Sequence, residues 1–260
     1  MIDIHTHIIP DLDDGPPDME TSVGIGKLAE EDGITAIIST SHSEECAAVG
    51  FTGMHLRLDA VRKAWAAEGL SIRLAMGVEI FLRPDTASDL KSGRLWSLAG
   101  SSYVLVELPN QPWPAYTESA LFDLQLAGYV PILAHPERYT AIQSDPNVMY
   151  GLAERGVLGQ ITASALLGLH GAQIQQTAEI LLRHGLAQFL STDTHGLTDR
   201  KRKPQLAGAL AQAVALVGQD TASALVADNP ACIFTGKHVV AEPQPVTLRK
   251  WSIGRLFGRE

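Results

Sequence analysis

Cysteine is scarce in this 260-residue chain: Cys46 and Cys232 stand far apart, too few for a disulfide framework or a zinc knuckle, and a reducing compartment fits them. No apolar run approaches the roughly 20 residues of a membrane span, and no charged leader with an apolar core precedes the first strand signal. The expectation is a cytoplasmic protein without a transmembrane segment. Positive charge is short as well. Lys and Arg number 20 against 29 Asp and Glu, a formal net charge of −9, which argues against nucleic acid as a main partner because phosphate backbones demand a basic surface. Linkers rich in Gly or Ser and internal repeats are missing too. One domain is the simplest organisation. Several catalytic signatures are also missing. A cysteine-dependent phosphatase needs an arginine six positions after its thiolate, but Thr52 and His238 stand there. There is no G-x-S-x-G elbow and no Walker loop.

What is present begins at once. Ile2 and Ile4 alternate with polar residues in a short strand, so His5 and His7, two positions apart on an extended backbone, project to the same side. A carboxylate-rich turn, Asp11-Leu12-Asp13-Asp14-Gly15, follows directly. Clustered negative charge beside neutral imidazole is costly without a cation, so the pair reads as half of a metal site.

Further along, Asp18 caps a helix to about Glu31 with Gly33 as its stop. The β-branched run 34–40 is too continuously apolar for a half-exposed strand and ends at Ser41-His42. A helix from Met54 to Glu68 carries the stripe Met54, Leu58, Val61 and Trp65. Apolar runs then recur with a metal-ligand residue type after each. The run 72–78 ends at Glu79, 103–106 at Glu107, 130–134 at His135, and 187–191 just before Asp193 and His195. Another strand spans 158–162. Helices are expected from 117 to 127, from Asp145-Pro146, and from 172 to 184, with a late one lined by Leu206, Leu210, Ala213 and Val217, before Asn229-Pro230 closes the domain. Seven strands alternating with helices indicate a parallel α/β fold, and that number suits a closed or nearly closed barrel. In a parallel barrel all strand carboxyl ends lie on one rim. Here His5, His42, Glu79, Glu107, His135 and Asp193 fall at or just past the ends of six strands.

Nine candidates, counting His7, Asp14 and His195, are too many for one four-coordinate metal and suit two or three ions sharing a carboxylate. Imidazole and carboxylate without thiolate favour manganese, iron or zinc over calcium. Such sites hydrolyse phosphate esters, and two arginines fit that chemistry. Arg138 lies three residues past His135, and Arg200 lies in the loop after His195. Guanidinium forks match phosphate oxygens two at a time.

The combined pattern resembles the polymerase-and-histidinol-phosphatase (PHP) family, and within it the bacterial manganese-dependent protein-tyrosine phosphatases of capsule and exopolysaccharide loci. The pieces that carry the resemblance are Met1-Ile2-Asp3-Ile4-His5-Thr6-His7, Leu12-Asp13-Asp14-Gly15, Thr40-Ser41-His42, Gly77-Val78-Glu79-Ile80, Leu105-Val106-Glu107, Leu121-Phe122-Asp123-Leu124-Gln125-Leu126-Ala127-Gly128-Tyr129, Ala134-His135-Pro136-Glu137-Arg138-Tyr139 and Ser191-Thr192-Asp193-Thr194-His195. The resemblance implies a distorted seven-stranded, TIM-like barrel holding three divalent ions, manganese first, with iron, zinc or magnesium as alternatives. It implies His5, His7, Glu79 and Asp193 at the first ion, Glu79, Glu107 and His135 at the second, and Asp14, His42 and His195 at the third. Arg138 and Arg200 would grip the phosphate, and a hydroxide bridging two metals would attack phosphotyrosine. The implied partner is a phosphotyrosine protein, a bacterial tyrosine autokinase of polysaccharide export, with homo-oligomers left open. Where relatives often read Thr-Pro-His-His, this chain has Thr40-Ser41-His42-Ser43, which puts leaving-group assistance or specificity in question but not metal binding. Two other readings remain: a small phosphate ester such as histidinol phosphate or a nucleotide as substrate, and a non-catalytic module that binds a kinase. In the tail, Leu248, Trp251 and the Leu256-Phe257 pair could form the apolar side of a short basic helix for a membrane surface or a partner.

Overall fold

A computed structural model describes residues 1–109 and 111–247. The anticipated tail helix, residues 248–257, lies outside the described residues.

Among the described residues eight short strands form two parallel sheets. One has the order β1 (Ile2–Thr6), β2 (Ala36–Ser39), β3 (Arg73–Met76). The other runs in sequence order through β4 (Glu79–Phe81), β5 (Tyr103–Glu107), β6 (Val130–Ala134), β7 (Leu158–Thr162) and β8 (Phe189–Ser191). A parallel bridge at Thr6 and Thr194 joins the end of β1 to the segment after β8. A second, at His42 and Glu79, joins the segment after β2 to the start of β4. The single strand expected over 72–78 is therefore two. The chain jogs at Gly77, where a Cβ would stand 2.7 Å from Leu98 Cδ2 and 2.9 Å from Ile38 Cγ2. Only glycine lets the backbone pass that close. The consequence is functional, because Glu79 opens β4 instead of trailing β3 and takes its register from Leu105.

The helices are α1 (Met19–Glu31), α2 (Ser43–Ala67), α3 (Thr86–Lys91), α4 (Thr117–Leu126), α5 (Thr140–Ser144), α6 (Asn147–Ala153), α7 (Ala163–Leu166), α8 (Ala172–Arg183), α9 (Leu206–Val217), α10 (Gln219–Val226) and α11 (Asp228–Thr235). Asp18 caps α1 by accepting the Thr21 N–H at 2.8 Å, and Gly33 follows its end at φ +85°. Helix α2 begins eleven residues before the Met54 start expected from the stripe, directly after His42, and is interrupted at Gly50 (φ 77°). Met54, Leu58, Val61 and Trp65 are buried as the spacing requires, each large side chain contributing about 1.5–3 kcal/mol. Asn229-Pro230 does not close the domain: Pro230 sits in the first turn of α11, where its missing N–H costs no helical bond.

Apolar side chains form two clusters. The larger lies between strands and helices, and the smaller, around Ile4, Ile38, Leu105, Ile132 and Phe189, lies among the strands themselves. Ile233 and Val239 pack against the smaller cluster. Nearby, Tyr103 Oη donates to the Lys237 carbonyl and accepts the Val239 N–H. The described part of the tail thus lies on the body of the protein at the strand amino ends. That leaves the opposite rim for the candidate site. Among the described residues no helix is long and apolar enough to cross a membrane.

Candidate metal centre

All nine metal-ligand candidates meet at that rim. Four groups of ligand atoms each lie within 4.8 Å of one another: His7, Asp14, His42 and His195; His5, His7 and Asp193; His5, Glu79 and His135; and His42, Glu79 and Glu107. Glu79 is the hub. Its Oε1 lies 3.1 Å from His5 Nε2 and 3.0 Å from His135 Nε2, and its Oε2 lies 3.2 Å from both His7 Nε2 and His42 Nδ1. Asp193 Oδ1 stands 3.3 Å from His5 Nε2. Asp14 Oδ1 stands 3.3 Å from His42 Nε2 and 3.2 Å from His195 Nε2. The His7 and His195 rings stack at 3.8 Å.

The backbone places these groups at a cost. His135 (φ 37°) and Asp193 (φ 54°) both adopt left-handed conformations without being glycine, each of which costs of order 1–3 kcal/mol. The turn lets a side chain leave the strand direction and enter the rim.

Several residues not singled out from the sequence hold the imidazoles. Gln160 Oε1 faces His5 Nδ1 at 2.8 Å, and Asp13 Oδ2 faces His7 Nδ1 at 2.8 Å. Asp13 also accepts the backbone N–H groups of Gly15 and His42. His195 Nδ1 faces the Asp193 carbonyl at 2.8 Å. With the Nδ1–H groups donated outward, the lone pairs at Nε2 of His5, His7 and His195 face the carboxylates. Nε2 of His5 and of His7 is buried and has no hydrogen-bond partner, although carboxylate oxygens crowd both. That is the arrangement a cation between them would satisfy.

The charges agree. Burial alone would push His5 down, but Glu79 and Asp193 raise it to about 10. Burial would likewise raise Asp13, yet the His7 hydrogen bond and charge lower it to about 2. Hydrogen bonds from His195 and His42 hold Asp14 far below the usual carboxylate range. Glu79 and Asp193 are lowered against their burial, chiefly by His5. Four ionised carboxylates therefore gather among imidazoles, and they raise His5, His7 and His42 against the burial of each ring, while burial and the His7 charge lower His195. Cations between these groups would balance the negative charge.

Arg138 lies in the wall of this cavity, which has a volume of about 340 Å³. Its Nη2 donates to Asp193 Oδ2 at 2.7 Å and to Thr162 Oγ1 at 3.0 Å. Arg200 is exposed, and its backbone carbonyl accepts from Gln205 Nε2. The cavity is lined instead by Arg202, whose Nη2 donates to Asp14 Oδ2 and whose carbonyl accepts the His195 N–H. Within Arg200-Lys201-Arg202-Lys203 no sequence signal separates one cation from the next. Ser43 is outside the lining of this cavity, with its Oγ accepting the Phe81 N–H at 3.1 Å.

Fold and site together define a parallel α/β protein with a His-carboxylate cluster, fit for several metal ions, at the carboxyl ends of its strands. The chain belongs to the family described as capsular polysaccharide synthesis, CpsB/CapC, which it matches over residues 1–235. Tyrosine-protein phosphatase YwqE of Bacillus subtilis is 32% identical over 268 residues, covering 99% of either chain. A crystal structure from the study of YwqE and of CpsB from Streptococcus pneumoniae, described as metal-dependent tyrosine phosphatases, superposes with a TM-score of 0.89 at 31% identity. It covers 95% of this chain and 100% of that one. The lactonase Lmo2620 from Listeria monocytogenes, 14% identical with a TM-score of 0.60 over 91% and 95% of the two chains, shares the fold alone.

Proposed function

We propose that this chain is a metal-dependent protein-tyrosine phosphatase that releases inorganic phosphate from phosphotyrosine in a protein substrate. The observation that carries this reading is the shared basin. Five imidazoles and four carboxylates converge on one cavity with Arg138 in its wall, in a chain of the CpsB/CapC family.

His5, His7, Glu79 and Asp193 would hold one divalent ion, Glu79, Glu107 and His135 a second, and Asp14, His42 and His195 a third. The donor set favours manganese, with iron, zinc and magnesium as alternatives. Bound there, the ions would supply Lewis-acid neutralisation of phosphoryl charge and activation of water at neutral pH. The chain's own residues do the rest. Gln160 and Asp13 fix the ring orientation of His5 and His7. Arg138, anchored on Thr162 and Asp193, offers its remaining guanidinium N–H groups to phosphate oxygens. The second guanidinium is Arg200 by resemblance, and the place of Arg202 in the cavity wall supports Arg202 for the same role.

The two sheets act as one distorted seven-stranded barrel with β3 and β4 counted as a single interrupted strand, a reading supported by the bridges at both seams. Residues 1–236 form the phosphatase unit and 237–260 its tail. The substrate is an autophosphorylated tyrosine kinase that regulates capsule and exopolysaccharide export, met in the cytoplasm. The family's capsular role and the tyrosine-phosphatase names of its relatives support that substrate.

The test is turnover of a phosphotyrosine peptide by purified protein with manganese, compared with His135→Ala. The variant is expected to lose nearly all activity. Equal turnover by both proteins rules the reading out.

A further inference from the structure

The metal cavity is polar except at one place, where Phe81, Leu108 and Pro109 present carbon. Phe81 ends β4 and is in register with Glu107, so its ring adjoins a residue of the candidate metal cluster. It is only half-buried and stands outside both apolar clusters, which leaves its ring without a packing role in the core. The backbone on either side is nevertheless held firmly. Phe81 N–H donates to Ser43 Oγ at 3.1 Å, Leu82 N–H to the Glu107 carbonyl at 2.9 Å, and Leu108 N–H to Tyr139 Oη at 3.0 Å. The Leu82 carbonyl accepts from Tyr116 Oη at 3.1 Å. A rigidly mounted, partly exposed aromatic ring in the wall of a phosphate-binding cavity is unused by the phosphoryl chemistry itself.

We infer that Phe81, flanked by Leu108 and Pro109, is the platform that receives the aromatic ring of the substrate's phosphotyrosine, and that Ser43 is the residue that positions it. The inference rests on the phosphatase reading above and adds what selects the ester. An aryl phosphate delivers its phosphorus to the cluster with a planar apolar group behind it, and that group needs an apolar wall. A phosphoserine ester has no ring to lay there, and its short side chain would draw the peptide backbone into a cavity of about 340 Å³. Ser43 stands where the resemblance anticipates histidine. Its Oγ accepts the Phe81 N–H and it stands outside the cavity lining, so it acts on the ester through Phe81 and not by contact with the leaving group.

The test uses the full-length, manganese-loaded protein and its Phe81→Ala, Phe81→Leu and Ser43→Ala variants. Each is assayed for kcat/KM on a phosphotyrosine peptide and on the same peptide with phosphoserine. Phe81→Ala is expected to lower the phosphotyrosine value about tenfold, mostly through KM, and to leave the phosphoserine value within about twofold. Phe81→Leu, which keeps apolar volume without a ring face, falls between, and Ser43→Ala shifts the ratio the same way by less. Unfolding temperature and bound manganese report whether each variant is intact, and Phe81→Leu carries the test if the alanine variant is not. An unchanged ratio in Phe81→Leu and Phe81→Ala, or an equal loss on both peptides, overturns the platform while leaving the phosphatase reading in place. Wild-type protein with no preference for phosphotyrosine overturns both.

Discussion

Replacing Gln160 by methionine keeps the length of the side chain and removes the acceptor that faces His5 Nδ1 at 2.8 Å. Both residues are fully buried, so no water can take over the bond. A buried donor left unpaired costs about 1–3 kcal/mol. Independently, removing the outer partner of a metal-ligating histidine weakens metal affinity about 10–100-fold. A factor of ten corresponds to about 1.4 kcal/mol, so the two routes agree. In the metal-free state of the variant His5 can instead carry a single proton on Nε2, between Glu79 and Asp193 at 3.1 and 3.3 Å, and leave no unpaired Nδ1–H. Most of the penalty should therefore fall on the loaded state, where the metal occupies Nε2. Calorimetric titration of chelator-stripped protein with manganese is the assay, together with the manganese concentration that gives half-maximal turnover. The expected result is a Kd weaker by about 10–100-fold, with kcat at saturating manganese nearly retained. An unchanged Kd in a folded Gln160→Met protein would refute the reasoning, because His5 would then need no outer partner to serve as a ligand.

Other expectations follow from the same geometry. Arg138→Lys keeps the charge but loses the fork held on Thr162 and Asp193, and kcat/KM should drop by more than about tenfold. Comparing Arg200→Ala with Arg202→Ala should show the larger loss in whichever arginine meets phosphate, and equal wild-type rates in both would remove the second guanidinium from the account. In chelated protein, His5 lies above its ordinary value of 6.5, at about 10, because Glu79 and Asp193 outweigh its burial. A base raised on folding stabilises fully below 6.5, and that contribution is lost as pH rises through 10. The chelated Tm should therefore fall between pH 7 and 10 while manganese affinity rises, because metal displaces protons. A chelated Tm that climbs across that window contradicts this. Gly159→Ala would put a Cβ 2.5 Å from the Leu186 carbonyl oxygen and 3.2 Å from Ala187 Cα. Neither can yield as a side chain would, so thermal unfolding should occur about 3–10 °C lower.

The candidate site was largely legible because a parallel strand that ends in a ligand-type residue announces itself. Buried strands read as β-branched runs, and the first residue after each run sits on the rim. That logic picked out His5, His42, Glu79, Glu107, His135 and Asp193 from spacing, and the structure brings their side chains together. It was weaker where the backbone departs from the regular period. Gly77 splits one apolar run into β3 and β4; an isolated glycine in such a run is itself a readable signal, but the close approach that demands it comes from Leu98 and Ile38 in other segments. The first turns of α2 carry no apolar stripe before Met54, so its start at Ser43 rests on tertiary position. Residues acting on ligands from behind were also missed. Gln160 is a polar residue within a wholly buried strand, a signal that was available. Asp13 differs from Asp14 only in which way the turn points it. The choice between Arg200 and Arg202 depends on the path of a loop that hydrophobic period does not govern.

The central claim is that distant parts of the chain build one basin for several cations. Anomalous diffraction at the manganese edge from crystals grown with manganese tests it most directly. The account predicts three peaks enclosed by His5, His7, Asp14, His42, Glu79, Glu107, His135, Asp193 and His195, with two of them roughly 3.5–4 Å apart. Peaks only elsewhere on the surface, or a single ion bound by two or three of these residues with the others turned away, would contradict it.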